Sequence, residues 1–179
     1  MQLTLRVENN TLLRDFALIA FACFAICLSG QIAIPLWFTP VPLITQNTVV
    51  LLSSVLLGSR RGALATWAFL AQGALGLPVF TNGGCGFLYF FGPTGGYLIG
   101  YLVASFVAGF IAEKKKTLGN AFLAFSVGSL IIFSFGATYL STFIGVQKAL
   151  LLGVVPFIVG DLLKILVSLK LLQRFNFTK

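Results

Sequence analysis

The 179-residue chain is 58% hydrophobic and only 9% charged, with a mean hydropathy of +1.01. A water-soluble domain needs roughly a quarter of its residues charged to cover its surface, so the composition excludes one and makes lipid the surrounding solvent. The net charge of +8 raises the question of nucleic acid, but the basic residues stand in small groups between long uncharged stretches, which argues against that partner.

The elements follow from hydropathy and breakers, taken in chain order. Arg14 precedes an apolar run that resembles a secretory leader. The sequence downstream is equally apolar, so the run is expected to stay as a first membrane span over 16–34. A charge-free proline-rich turn covers 34–42, and a short second span covers 43–58. Arg60-Arg61-Gly62 is expected to turn the chain into a third span over 63–77. Seven small residues recur through that span (Ala63, Ala65, Ala68, Ala71, Gly73, Ala74, Gly76). Small residues let helices approach closely in lipid, so the third span is expected to be central.

A long uncharged loop over 78–94 contains Asn82-Gly83-Gly84-Cys85-Gly86 and Gly92-Pro93. The fourth span, 95–112, stops at Glu113 and Lys114 to Lys116, and the fifth covers 118–140. A mixed connector over 141–155 leads to the sixth span, 156–172. Pro156 suits its first turn, where a missing N–H costs nothing. Both termini and the 2–3 and 4–5 loops hold nearly all the basic residues, which predicts cytoplasmic termini by the positive-inside rule. Spans two and three are shorter than the roughly 20 residues a hydrocarbon core requires. A re-entrant pair is the alternative there, and the two arginines favour a cytoplasmic turn. The expectation is one all-α domain over 1–179, a six-helix transmembrane bundle.

Chemistry has few places to reside. With no His, imidazole bases and His-ligated metals are excluded, and a rhomboid-type Ser/His site with them. The three cysteines lack metal or disulfide spacing and read as small hydrophobes. Of the four acids, Glu8, Asp15 and Glu113 lie at basic edges, where surface roles suffice. Asp161 lies within the sixth span. An intramembrane charge costs about 2.5–3.5 kcal/mol on insertion scales and marks a functional site by default. Lys164, three residues on, shares its helical face. The two form either a structural ion pair or a ligand site with one acceptor and one cation. A single intramembrane acid does not make an aspartyl protease, so the chain is expected to be no enzyme.

Gln46, Asn47 and Thr48 stand near the outer end of span two, and Asn82 opens the glycine-rich loop. Gln46 reads equally as a helix–helix hydrogen bond and Asn82 as a turn residue. The glycines around Gly86 lack a P-loop ending and suit backbone passing close to a small ligand. Trp37, Phe80, Phe87, Tyr89 and Tyr97 suit an interfacial belt or pocket walls, the belt for most of them. A binding or transport role for a small molecule survives this elimination.

Four stretches, Thr39-Pro-Val-Pro-Leu-Ile-Thr-Gln46, Gly76-Leu-Pro-Val-Phe80, Gly92-Pro-Thr-Gly-Gly-Tyr97 and Pro156-Phe-Ile-Val-Gly-Asp-Leu-Leu-Lys164, together resemble the BioY family. Its members are biotin-specific S components of energy-coupling factor (ECF) vitamin transporters. The resemblance runs in order through nearly the whole chain. It implies a six-helix S-component fold in the cell membrane, with a biotin site near the outer face and uptake of the vitamin into the cytoplasm. It implies that Asn82 and Asp161 hold the ureido ring and that Lys164 pairs the valerate carboxylate. Gln46, Gly86 and Tyr97 are further candidate contacts. Biotin is the substrate, and no cofactor or metal is expected. The implied partners are the lipid bilayer, a transmembrane coupling subunit and ATPase subunits, since the chain has no nucleotide-binding motif. Where S components commonly carry Ala-x-x-x-Ala in the first span, this chain has Cys23-x-x-x-Cys27 and Ala25-x-x-x-Ser29. An S component for another small vitamin, or a proton or ion channel using Asp161, are the alternatives.

Overall fold

The computed structural model describes residues 2–34, 37 and 41–174. Most of the expected proline-rich turn, the C-terminal Lys179 and the side chains of Arg6 and Glu8 fall outside that description. The described chain is mostly helical: α1 (Gln2–Gln31), α2 (Gln46–Leu57), α3 (Ser59–Ala74), α4 (Gly95–Lys114), α5 (Leu118–Ile144), α6 (Val146–Gly153) and α7 (Val155–Arg174). Two-residue strands β1 (Ala33–Ile34) and β2 (Leu43–Ile44) pair antiparallel, Ala33 opposite Ile44 and Ile34 opposite Leu43. Two 3₁₀ turns, Thr81–Gly83 and Phe87–Phe91, shape the loop between α3 and α4. The fold is the six-helix bundle expected, with α6 added as a short helix before α7.

Four described stretches are long and apolar enough to cross a bilayer: Thr11–Gln31, Gly95–Lys114, Leu118–Ile144 and Val146–Arg174. The last joins α6 and α7, so the expected connector is mostly helix, broken at Gly145 and Val154. Large apolar side chains such as Phe16, Phe21, Leu163 and Val167 are 60–72% exposed. Water would penalise that surface at roughly 25 cal/mol per Å², and hydrocarbon does not, so the protein is a membrane protein.

The interior combines small residues with larger apolar ones such as Phe69, Phe125 and Leu140. Ala65, Ala104, Ala108, Ala121 and Ala124 are fully buried, which brings α3, α4 and α5 close together. Centrality belongs to α4 more than to α3. Its apolar window is 61% buried against 17% for α1, and it packs on α2, α3 and α5. The small-residue helix α3 packs on α1, α2 and α4 but leaves Leu64 and Trp67 exposed. Between α1 and α3 the Gln72 amide donates to Cys23 Sγ at 3.5 Å and accepts from Cys27 at 3.9 Å. Those two thiols are thus packing groups with polar contacts.

The turn between α2 and α3 differs from expectation. Arg60 and Arg61 do not form it, because both lie in the first turn of α3. Gly58 alone reverses the chain, at φ +89°, a conformation open to glycine without steric cost. The exposed N-terminus of α3 is met by Glu113 of α4, whose carboxylate accepts from the Ser59 N–H and the Ser59 hydroxyl, each at 2.9 Å. A carboxylate there also complements the helix dipole. Glu113 is therefore an exposed edge acid that also serves as an interhelical cap. Asp15 keeps the edge role expected of it, pairing with Arg61 at 2.9 Å and so tying α1 to α3.

A Cβ at position 58 would strike the Glu113 carboxylate and would force a side chain into positive φ. Gly58→Ala is expected to cost about 1–3 kcal/mol, seen as a lower midpoint in thermal unfolding of the detergent-purified protein.

Candidate functional site

With only 12 residues, α2 is about 18 Å long, well short of a hydrocarbon core of about 30 Å. Its N-terminus therefore begins inside the bundle, and the space beyond it is the site. Two bonds to α1 fix that end: Thr45 Oγ1 donates to Ser29 O at 3.3 Å and Gln46 Nε2 to Ile26 O at 3.1 Å. A crevice of about 590 Å³, counted out to its mouth, lies between the first turn of α2 and helices α4, α5 and α7. Its enclosed part is narrow, about 40 Å³, room for roughly three waters. A ligand of vitamin size is larger than that space as it stands.

Among the described residues Asp161 is the only acid lining the crevice, and it is 6% exposed. It sits two turns into α7 and faces α2, where Asn47 Nδ2 donates to its Oδ1 at 2.8 Å. A carboxylate withdrawn from water needs such donors, since an unmet one is strongly destabilising. Lys164 lies one turn along the same face, as expected from the spacing. It does not pair with Asp161. Its Nζ donates instead to Ile44 O, the carbonyl of β2 just before α2, at 2.6 Å. Among the described residues ion pairs form only at Asp15. The acid and the cation on this wall are thus each met by a separate partner.

The remaining candidates divide. Gln46 and Tyr97 line the crevice. Asn82 is exposed in the first 3₁₀ turn at φ +57°, and its neighbour Thr81 is the residue of that turn that lines the wall. Gly86 is half-buried, and its N–H donates to Gly73 O at 2.7 Å, pinning the loop to the end of α3. Gln31 Nε2 holds the same loop from α1, donating to Pro78 O at 3.0 Å. Neither Asn82 nor Gly86 is part of the lining.

The outer aromatics also divide. Trp37 and Phe87, 95% and 65% exposed, fit an interfacial belt. Phe80 is fully buried, edge-on to Phe69 and Phe90 and stacked on Tyr89, so it plugs the loop into the bundle. Tyr97 is a wall. Its hydroxyl donates to Gly153 O at 2.8 Å, fastening α4 to the last residue of α6 just before the break that leads into α7. Gly136 and Gly153 leave the room that its ring and hydroxyl occupy.

Three wall residues had weaker signals. Tyr101 lines the crevice one turn from Tyr97 on the same face of α4, a spacing visible in the sequence. Tyr89 stands in a loop, where no periodicity points to it. Asn47 was visible only as a polar neighbour of Gln46. Two amide oxygens in this wall, Gln46 Oε1 and Asn47 Oδ1, meet no protein donor. Each unmet buried acceptor costs about 1–3 kcal/mol.

The sequence pattern of the BioY family matches residues 2–178. The chain is 37% identical over 167 residues to a biotin transporter BioY of Rhizobium etli, covering 87% of this chain and 89% of that one. It is 40% identical over 153 residues to a biotin transporter BioY of Thermotoga maritima, covering 84% and 89%. It superposes with a TM-score of 0.86 on the crystal structure of the S-component for biotin from an ECF-type ABC transporter. That pair is 31% identical and the match covers 93% of each chain.

Tyr97→Phe removes the bond to Gly153 and leaves the ring in place. The expected loss is about 1 kcal/mol of stability, measured as a fall in the thermal midpoint without loss of helical circular dichroism.

Proposed function

The chain belongs to the BioY family, and on that premise we propose that it is the membrane-embedded, high-affinity biotin-binding subunit of a vitamin uptake system. It works as one six-helix unit over 1–179 in the cell membrane, with both termini in the cytoplasm. It binds biotin at the outer face and delivers it inward. It performs no bond chemistry and carries no cofactor. Its partners are a transmembrane coupling subunit and ATPase subunits of an ECF module.

The observation that carries this reading is the separation of Asp161 from Lys164 along one wall of the crevice, each held by its own partner. Biotin has a cyclic urea at one end and a carboxylate at the other. The urea offers N–H donors that a carboxylate accepts, and the valerate tail requires a cation. The ring system between them requires apolar walls, which Leu98, Ile132 and Phe157 provide. Tyr97 and Gln46 complete the lining. Asn82 and Gly86 reach the vitamin from the loop when the crevice opens to admit it. The two ends of the bundle also support the orientation. Gly58, the Arg60-Arg61 pair and Glu113 lie beyond the C-terminal end of α2, opposite the crevice.

Purified protein in detergent is expected to bind labelled biotin in the nanomolar range. Asp161→Asn and Lys164→Ala should each weaken binding at least about tenfold, the loss of one charged hydrogen bond, while the unfolding midpoint shows the fold retained. Absence of biotin binding by the unaltered protein contradicts the proposal.

A further inference from the structure

The wall formed by the first turn of α2 presents acceptors, and the identity of those acceptors is fixed by their neighbours. Asn47 faces the Asp161 carboxylate, which only accepts, so its Nδ2 end is committed there and Oδ1 is the free end. Gln46 faces the Ile26 carbonyl, which also only accepts, so Nε2 is committed and Oε1 is free. Exchanging O and N in either amide would set oxygen against oxygen. Both residues are more than nine-tenths buried, at 8% and 1% exposure, and both line the crevice. Neither free oxygen meets a protein donor. Two side-chain acceptors without a protein donor thus stand beside a carboxylate, and a ligand can bring the donors they lack.

We infer that Asn47 is a specificity-determining residue of this site, its Oδ1 accepting one ureido N–H of the ligand while the Asp161 carboxylate accepts the other. This rests on the reading that the crevice takes biotin, and it deepens that reading by assigning the second donor. Asp161 Oδ1 serves Asn47, and the second oxygen of the carboxylate serves the ligand. Asn47 thereby does two things: it holds Asp161 in place through Nδ2 and reads the ring through Oδ1. Gln46 Oε1 adds a further acceptor at the same end.

The test compares biotin with two analogues, each carrying a methyl group on one of the two ureido nitrogens, in binding to the full-length protein and to Asn47→Val. In the unaltered protein both analogues should bind at least about tenfold more weakly than biotin, since each loses one charged or buried hydrogen bond. In Asn47→Val biotin itself should weaken, and one of the two analogues should come within about threefold of it, the other staying discriminated as before. A purely structural role for Asn47 weakens all three ligands alike, and that result overturns the inference. Equal binding of biotin and either analogue by the unaltered protein overturns it as well, and this arm needs no variant to fold. If the unaltered protein binds no biotin, the functional proposal falls and this inference with it. If biotin binds tightly and Asn47→Val keeps the discrimination against both analogues, only the inference falls.

Discussion

A carboxylate inside a lipid-surrounded bundle must be met by donors, and the Asn47–Asp161 hydrogen bond at 2.8 Å is the contact on which this structure turns. It joins residues 114 positions apart, on the second and the last of the membrane helices. For it to form, α2 must start deep enough for its first turn to face the middle of α7. For α2 to start there, the chain before it must return to α1, which the β1–β2 pairing and the bonds from Thr45 and Gln46 to α1 accomplish. The crevice is the space that this arrangement leaves.

The two ends of the bundle solve opposite problems. At the crevice end, backbone and side-chain polar groups are turned inward around a space that a ligand can occupy. At the other end they satisfy one another. Gly58 reverses the chain in a single residue, and Glu113 meets the donors that the reversal exposes. The loop over the crevice end is anchored without charge, by Phe80 within its aromatic cluster and by main-chain bonds such as Gly86 to Gly73. Hydrogen bonds and ring packing lose little in a water-poor interface, where salt would screen an exposed ion pair.

Much of this was legible in the residues. The spans followed from hydropathy, because a lipid-facing helix cannot conceal its composition. Asp161 and Lys164 stood out because charges are scarce there, and their spacing placed them on one face. What the spacing could not give was their partners. Lys164 bonds a backbone carbonyl and Asp161 an amide on another helix, and neither contact leaves a trace in local sequence. The turn at Gly58 was assigned to the neighbouring arginines because charge marks the membrane edge, whereas positive φ at one glycine has no compositional signature. The buried position of Phe80 was equally hidden, since a loop has no period to reveal which ring faces inward. Asn82 drew attention by composition and resemblance, yet in this conformation it stands outside the crevice.

The measurement that tests the account most directly is a structure of the protein with biotin bound, at a resolution that orients the bicyclic ring. The account predicts the ureido ring against Asp161 and the first turn of α2, with the valerate carboxylate toward Lys164. A ring seated elsewhere, or reversed so that its carboxylate faces Asp161, would contradict it.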